Sequence, residues 1–266
     1  MKTRISAMIV LLCVVGFSQS VRADDELPTI SSGTIEPYMS FMAGIAVPFS
    51  EDATFRNGDV DKNVDYQNKQ SIGGNAGVWF PTRNALAGFD LGVEIAGFVW
   101  FPDVACCREN FNGVTQADGA FEGTTTEIQG IYVGGNFLVR RPFGISEAYP
   151  NGRWHPYAGV GIGAHQLAFR PGGSRGATFA SPLIDQRDTA PAFQALGGLK
   201  AHLFKYVAVF AEAKYIHAYH DELGTDRFGQ SGNLFAGTGL FLDQYESTIR
   251  TIFVHAGLSV HFDVRP

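Results

Sequence analysis

The sequence predicts an all-β fold, an antiparallel up-and-down transmembrane β-barrel of about eight strands, and three observations predict it. Apolar residues recur at every second position in eight separate segments. The connections between these segments alternate between long and short. In the third, sixth and seventh segments every Asp, Glu and Lys falls on the face that the apolar residues leave.

The pattern is cleanest in the last segment, 251–262. Ile252, Val254, Ala256, Leu258, Val260 and Phe262 share one face, and Phe253, His255, Gly257, Ser259 and His261 share the other. A strict period of two with unlike faces marks a strand between two environments. The first segment, 37–47, places Met39, Phe41, Ala43, Ile45 and Val47 together, and the second, 71–80, does so with Ile72, Ala76, Val78 and Phe80. The third, 89–101, sets Phe89, Leu91, Val93, Ile95 and Val99 against Asp90, Gly92, Glu94 and Ala96. The fourth, 125–139, is less regular and offers Ile131, Val133, Phe137 and Val139.

In the fifth segment, 157–169, the apolar face is Ala158, Val160, Ile162 and Ala164. In the sixth, 192–204, Phe193, Ala195, Leu199, Ala201 and Leu203 oppose Gln194, Lys200 and His202. The seventh, 207–219, sets Val207, Val209, Ala211, Ala213 and Tyr215 against Glu212 and Lys214. Long polar connections follow the odd-numbered segments, near 48–70, 102–124, 170–191 and 220–248, whereas 81–88 and 204–206 are short. Long extracellular loops alternating with short periplasmic turns are how outer-membrane barrels are built. The fourth-to-fifth connection, 140–156, is longer than a simple turn. A soluble barrel has no reason to segregate its connections by length.

A cation facing lipid costs about 2–4 kcal/mol near the midplane, so outward positions should be free of charge. The inward set, Asp90, Glu94, Lys200, Glu212 and Lys214, carries both signs and predicts an ionic network filling the lumen, with Lys200 and Glu212 in reach of a diagonal pair. Glycines inside the segments, among them Gly73, Gly77, Gly134, Gly159, Gly161 and Gly163, ease curvature and leave room for large neighbours. The run from Gly159 to Gly163 lacks the spacing and the following helix of a nucleotide-binding loop.

The N-terminus reads as a secretory signal: Lys2 and Arg4, an apolar stretch at 5–17, and Val21-Arg22-Ala23 as the cleavage site. The apolar stretch is too short to span a bilayer of about 30 Å. The expected organisation is a signal peptide at 1–23, a periplasmic lead at 24–36, the barrel at 37–262 and a tail at 263–266. Cleavage leaves 243 of the 266 residues. It removes Lys2, Arg4 and Arg22 and no acid, so the net charge moves from −6 to −9. An acidic product without a Lys/Arg run argues against nucleic acid as a partner. Mean hydropathy of +0.01 decides nothing, because a barrel alternates its faces. Cys106 and Cys107 are adjacent, a spacing at which ordinary disulfide geometry is hard to reach, and read as a local loop feature.

Arg153-Trp154-His155-Pro156-Tyr157-Ala158-Gly159-Val160-Gly161-Ile162-Gly163 resembles the strand entry of the porin-like outer-membrane β-barrel domain family of small Gram-negative proteins. Val209-Phe210-Ala211-Glu212-Ala213-Lys214-Tyr215 is similar to the penultimate strand of that family, and 251–262 to its aromatic-ended assembly signal. Here Phe262 is followed by Asp263-Val264-Arg265-Pro266. The resemblance covers most of 37–262 and implies fold and assembly by the barrel insertion machinery, with no activity attached.

Three runs invite chemistry. His217-Ala218-Tyr219-His220-Asp221-Glu222 lies at the outer end of the seventh segment, where some barrels of this kind carry a His-x-Ser pair that acts on lipid A; here Tyr219 occupies the serine position. As metal ligands, His217 and His220 point to opposite faces. Asp59, Asp61, Asn63 and Asp65 alternate as in a calcium loop, but Val64 replaces the turn glycine and Gln70 the terminal glutamate. Leu234-Phe235 and Leu240-Phe241-Leu242 are unusual in a solvated connection and allow an extra strand pair. No residue is assigned as catalytic, cofactor-binding or metal-binding, and no cofactor is expected. The sequence predicts a non-enzymatic outer-membrane protein with a structural or surface-interaction role, set in outer-membrane lipid and meeting an extracellular partner through its loops. A narrow channel for small or hydrophobic solutes is the second reading, and a lipid A-modifying enzyme the third.

Overall fold

A computed structural model describes residues 34–55, 60–64, 68–102, 126–171, 186–223 and 245–264. Among these residues ten strands follow in order: β1 (Glu36–Pro48), β2 (Glu51–Phe55), β3 (Val60–Val64), β4 (Lys69–Phe80), β5 (Asp90–Trp100), β6 (Thr126–Arg140), β7 (Trp154–Pro171), β8 (Gln186–Phe204), β9 (Val207–Leu223) and β10 (Tyr245–His261). Eight of them, β1 and β4 to β10, form a closed wall in which each pairs antiparallel with the next. The ring shuts where β1 meets β10, from Tyr38↔His261 to Pro48↔Thr251. These eight are the predicted segments, with their ends moved by a few residues.

Two departures have physical reasons. The extra strand pair arises in the first connection, where β2 and β3 form a hairpin that continues the sheet from β10 through Tyr245↔Phe55 and Ser247↔Ala53. An ion pair between Arg250 and Glu51 ties that hairpin to β10. The third connection contracts to 172–185, because β7 and β8 stay paired up to Phe169↔Gln186, well past the end of their apolar faces. Backbone pairing does not need hydrophobic alternation. Leu234, Phe235 and 240–242 lie outside the described residues, as do Cys106, Cys107 and the signal sequence.

The connection at 141–153 is a folded cap rather than a loose loop. Phe143 pairs with Trp154, and Ser146 and Tyr149 exchange backbone hydrogen bonds of 3.1 and 3.0 Å. Gly144 (φ 68°) and Gly152 (φ 97°) take the left-handed conformation its bends require. Arg83, from the turn between β4 and β5, donates to Asn151 Oδ1 at 3.0 Å and so joins that turn to this cap. The β8–β9 turn is only Lys205 and Tyr206.

Side chains sort by parity around the ring. Ile162 is 76% exposed, Ile95 68% and Met39 63%, while Glu94 and Ala96 beside Ile95 and Tyr38 beside Met39 are buried in the lumen. On β10 and just beyond it, the outward positions from Ile252 to Phe262 are all apolar. At about 3.4 Å per residue and a tilt near 40° they cover about 26 Å along the barrel axis, the height of an outer-membrane apolar band. Phe80, Phe89, Phe143, Trp154, Phe204, Tyr206 and Phe262 are exposed around the short-turn end and form an aromatic girdle. No helix among the described residues is long and apolar enough to cross a membrane. The wall itself is the apolar element.

Candidate functional site

An eight-stranded interior is just wide enough for side chains to fill. The inward positions of β5, read upward from the short-turn end, are Asp90, Gly92, Glu94, Ala96, Phe98 and Trp100, and they mark the layers of the lumen. The lowest layer is ionic. Arg140 of β6 donates to Glu36 Oε2 at 2.5 Å and to Asp90 Oδ2 at 3.3 Å, and its guanidinium lies 4.6 Å from the centre of the Trp79 ring. Arg83 reaches the same Asp90 at 3.1 Å.

Above it, Glu94 accepts from Tyr38 Oη at 2.6 Å and from Asn136 Nδ2 at 2.9 Å. Glu212 accepts from Tyr157 Oη at 2.9 Å and pairs with Lys214 at 3.1 Å. Lys214 also donates to Asn75 across the lumen at 3.4 Å. The predicted Lys200–Glu212 pair does not form. Their register is diagonal, with Gly198 opposite Glu212 and Phe210 opposite Lys200. Lys200 turns instead to β1 and β10, donating to Ser259 Oγ at 3.3 Å and lying 4.1 Å from the Tyr38 ring centre. Glu212 is left to Lys214, two positions along its own strand.

The upper layers are aromatic and aliphatic. Phe98 stacks on Tyr132 at 5.1 Å and packs on Phe253 at 4.7 Å, Trp100 meets Phe253 edge-on at 5.6 Å, and Met42, Leu167 and Ile216 belong to the same cluster. Gly130 stands opposite Trp100, and a Cβ there would run into the indole Nε1. Gly130→Val should therefore lower stability by about 1–3 kcal/mol through overpacking and shift the tryptophan emission. Urea unfolding of the refolded barrel would measure it against Gly135→Val, where a Cβ meets ordinary space.

At the long-loop end a chain of hydrogen bonds crosses four strands. Trp100 Nε1 donates to His165 Nε2 at 3.3 Å, His165 Nδ1 lies 2.9 Å from His220 Nε2, and His220 Nδ1 lies 2.7 Å from Asp188 Oδ2. An indole nitrogen can only donate and a carboxylate can only accept, so the ends set both tautomers. His165 carries its proton on Nδ1, and His220 carries its own on Nδ1. The chain bridges a seam, because the β8–β9 ladder stops at Ala192↔Ala218 while β8 continues beside β7 and β9 beside β10. Asp188–His220 spans that gap. Ser247 lies opposite His220 in register, but the imidazole nitrogen a serine nucleophile would need is held by His165.

The sequence cluster at 217–222 is divided by the wall. His217 and Tyr219 face outward, whereas Ala218 and His220 are buried inside. Tyr219 donates to Glu246 at 2.7 Å, which leaves its hydroxyl engaged at the rim. In the calcium-like run, Val60–Val64 is the extended β3, and Asp59 and Asp65 lie outside the described residues. Among the described residues, the side chains that converge as metal ligands do are Glu36, His202 and His261, from three strands distant in sequence. Each stands at an inward position near the short-turn end of its strand, so parity at segment ends is the signal that could have found them.

No family model matches the chain, and no curated protein is similar to it in sequence. Among solved structures it resembles small outer-membrane β-barrels. Neisserial surface protein A shares 14% identity over 85% of this chain and 97% of its own, with a TM-score of 0.42. The outer membrane protein OprG from Pseudomonas aeruginosa shares 12% over 88% and 99%, also at 0.42. A major outer membrane protein from Thermus thermophilus shares 11% over 85% and 99%, again at 0.42.

Proposed function

We propose that this chain, exported through a cleaved signal, is an integral outer-membrane protein whose filled barrel anchors and displays four long connections at the cell surface. Its role on this reading is structural or that of a surface-interaction platform. The belt of outward apolar side chains supports a lipid setting, and a closed wall ending in an aromatic residue suits delivery by the barrel insertion machinery. One observation carries the functional part: the lumen is occupied. Trp79, Trp100, Tyr132, Arg140, Lys214 and Phe253 are fully buried at successive heights, with Arg140 paired to Glu36 and Asp90 and Lys214 to Glu212. Moving solutes along such an axis would require the breaking of ion pairs whose removal costs several kcal/mol each.

Planar-bilayer recording of the refolded protein tests this. A flat baseline over the voltage range is the expected result. Regular current steps would replace this reading with that of a narrow channel.

A further inference from the structure

The short-turn end of the lumen brings together Glu36 of β1, His202 of β8 and His261 of β10, all buried, with one ligand-type atom from each inside 4.8 Å. Nδ1 of His261 lies 2.5 Å from Oε1 of Glu36, and Nε2 of His202 lies 3.9 Å from the same oxygen. Neighbouring hydrogen bonds determine what His261 presents there. The Ser259 hydroxyl has one hydrogen, and the Met39 carbonyl 3.4 Å away can only accept it. With that hydrogen on Met39, Ser259 Oγ accepts from Lys200 Nζ at 3.3 Å and from His261 Nε2 at 2.9 Å.

With its proton on Nε2, a neutral His261 turns the Nδ1 lone pair toward a carboxylate oxygen. Two lone pairs at that distance repel. Neither atom has a hydrogen-bond partner of sound geometry. A cation between them removes the conflict.

We propose that Glu36 Oε1, His261 Nδ1 and His202 Nε2 bind one divalent transition-metal ion of the zinc class, with water completing the site. Two imidazoles and one carboxylate suit zinc and its neighbours, not magnesium or calcium. Ligands about 2.0 Å from a tetrahedral zinc stand about 3.3 Å apart, and the separations of 2.5 and 3.9 Å lie on either side of that value. The supporting contacts are of the kind metal ligands use: Arg140 holds the other Glu36 oxygen at 2.5 Å, and Ser259 fixes the His261 tautomer. Arg140 and Lys200 place positive charge nearby and weaken the affinity, while Asp90 offsets Arg140 at 3.3 Å. His155 lies edge-on to His202 at 5.0 Å, but its Nε2 donates to the Asn151 carbonyl. The bound ion would staple the two strands that close the ring to β8.

The test uses the mature protein folded in detergent, stripped with chelator and loaded with Co2+ or Zn2+. One bound equivalent, tetrahedral visible bands in the cobalt form and slower unfolding with zinc are expected. His202→Gln and His261→Gln should each weaken zinc binding by at least about tenfold, and His217→Ala, which alters an outward imidazole, should leave it unchanged. The unheated electrophoretic mobility shift reports folding, and the cobalt spectrum of the unaltered protein decides the matter even where a variant fails to fold. Failure of the stripped protein to bind zinc, with His261 an imidazolium carrying both protons by 15N NMR, would reduce the Glu36 contact to an ion pair and overturn the proposal. Equal affinity in the double glutamine variant would overturn it too.

Discussion

Arg140→Ala should cost about 3–5 kcal/mol, the largest loss expected of any single substitution in the barrel. The guanidinium stands between Glu36 and Asp90, both buried, and is itself fully buried against Trp79. Its removal leaves two carboxylates facing each other in a dry interior with one fewer cation, and Arg83 reaches only Asp90. Adding Glu36→Gln and Asp90→Asn should recover most of the loss, because the penalty belongs to unpaired charge rather than to missing attraction. Urea unfolding of the refolded protein in lipid vesicles, followed by tryptophan emission, measures both. A loss below about 1 kcal/mol for Arg140→Ala would mean that water reaches this layer.

The second large effect is on the opposite face. Ile95 lies near the middle of β5 and points outward, 68% exposed. In a soluble barrel Ile95→Arg would be close to neutral. In a bilayer it should destabilise by about 2–4 kcal/mol, while Ile95→Leu should change little. The comparison separates the two settings without reference to any partner. Equal unfolding free energies for the arginine and leucine variants in vesicles would remove hydrocarbon from the description of this surface.

How far the residues announced this arrangement depends on which property is asked of them. Facing is local: alternation in 251–262 placed Phe253, His255, Ser259 and His261 inside, and all four are buried. The same holds for Asp90, Glu94, Lys200, Glu212 and Lys214. Partnering is not local. Lys200 chooses Ser259 and Tyr38 over Glu212 because three strands curve around it, and a flat reading of adjacent segments shows only one of them. Glu36 and Arg140 escaped notice because they stand where the apolar pattern gives out: Glu36 one residue before the first segment and Arg140 one residue after the fourth, whose rhythm Gly134 and Gly135 interrupt. The Trp100–His165–His220–Asp188 chain draws on β5, β7, β8 and β9, so no spacing along the chain encodes it. Short segments such as 51–55 and 60–64 have too few alternations to stand out, and they pair because β10 extends above the band and offers an open edge.

The junction of β1 with β10 joins residues more than 200 positions apart, over eleven consecutive pairs. Loop-closure entropy makes such contacts the slowest to form. Until the final strand arrives, the other seven form an open curved sheet with two raw edges, each able to recruit a strand from another molecule. Annealing of this joint is therefore the committing event of maturation, and the species most prone to aggregate is a nearly finished one.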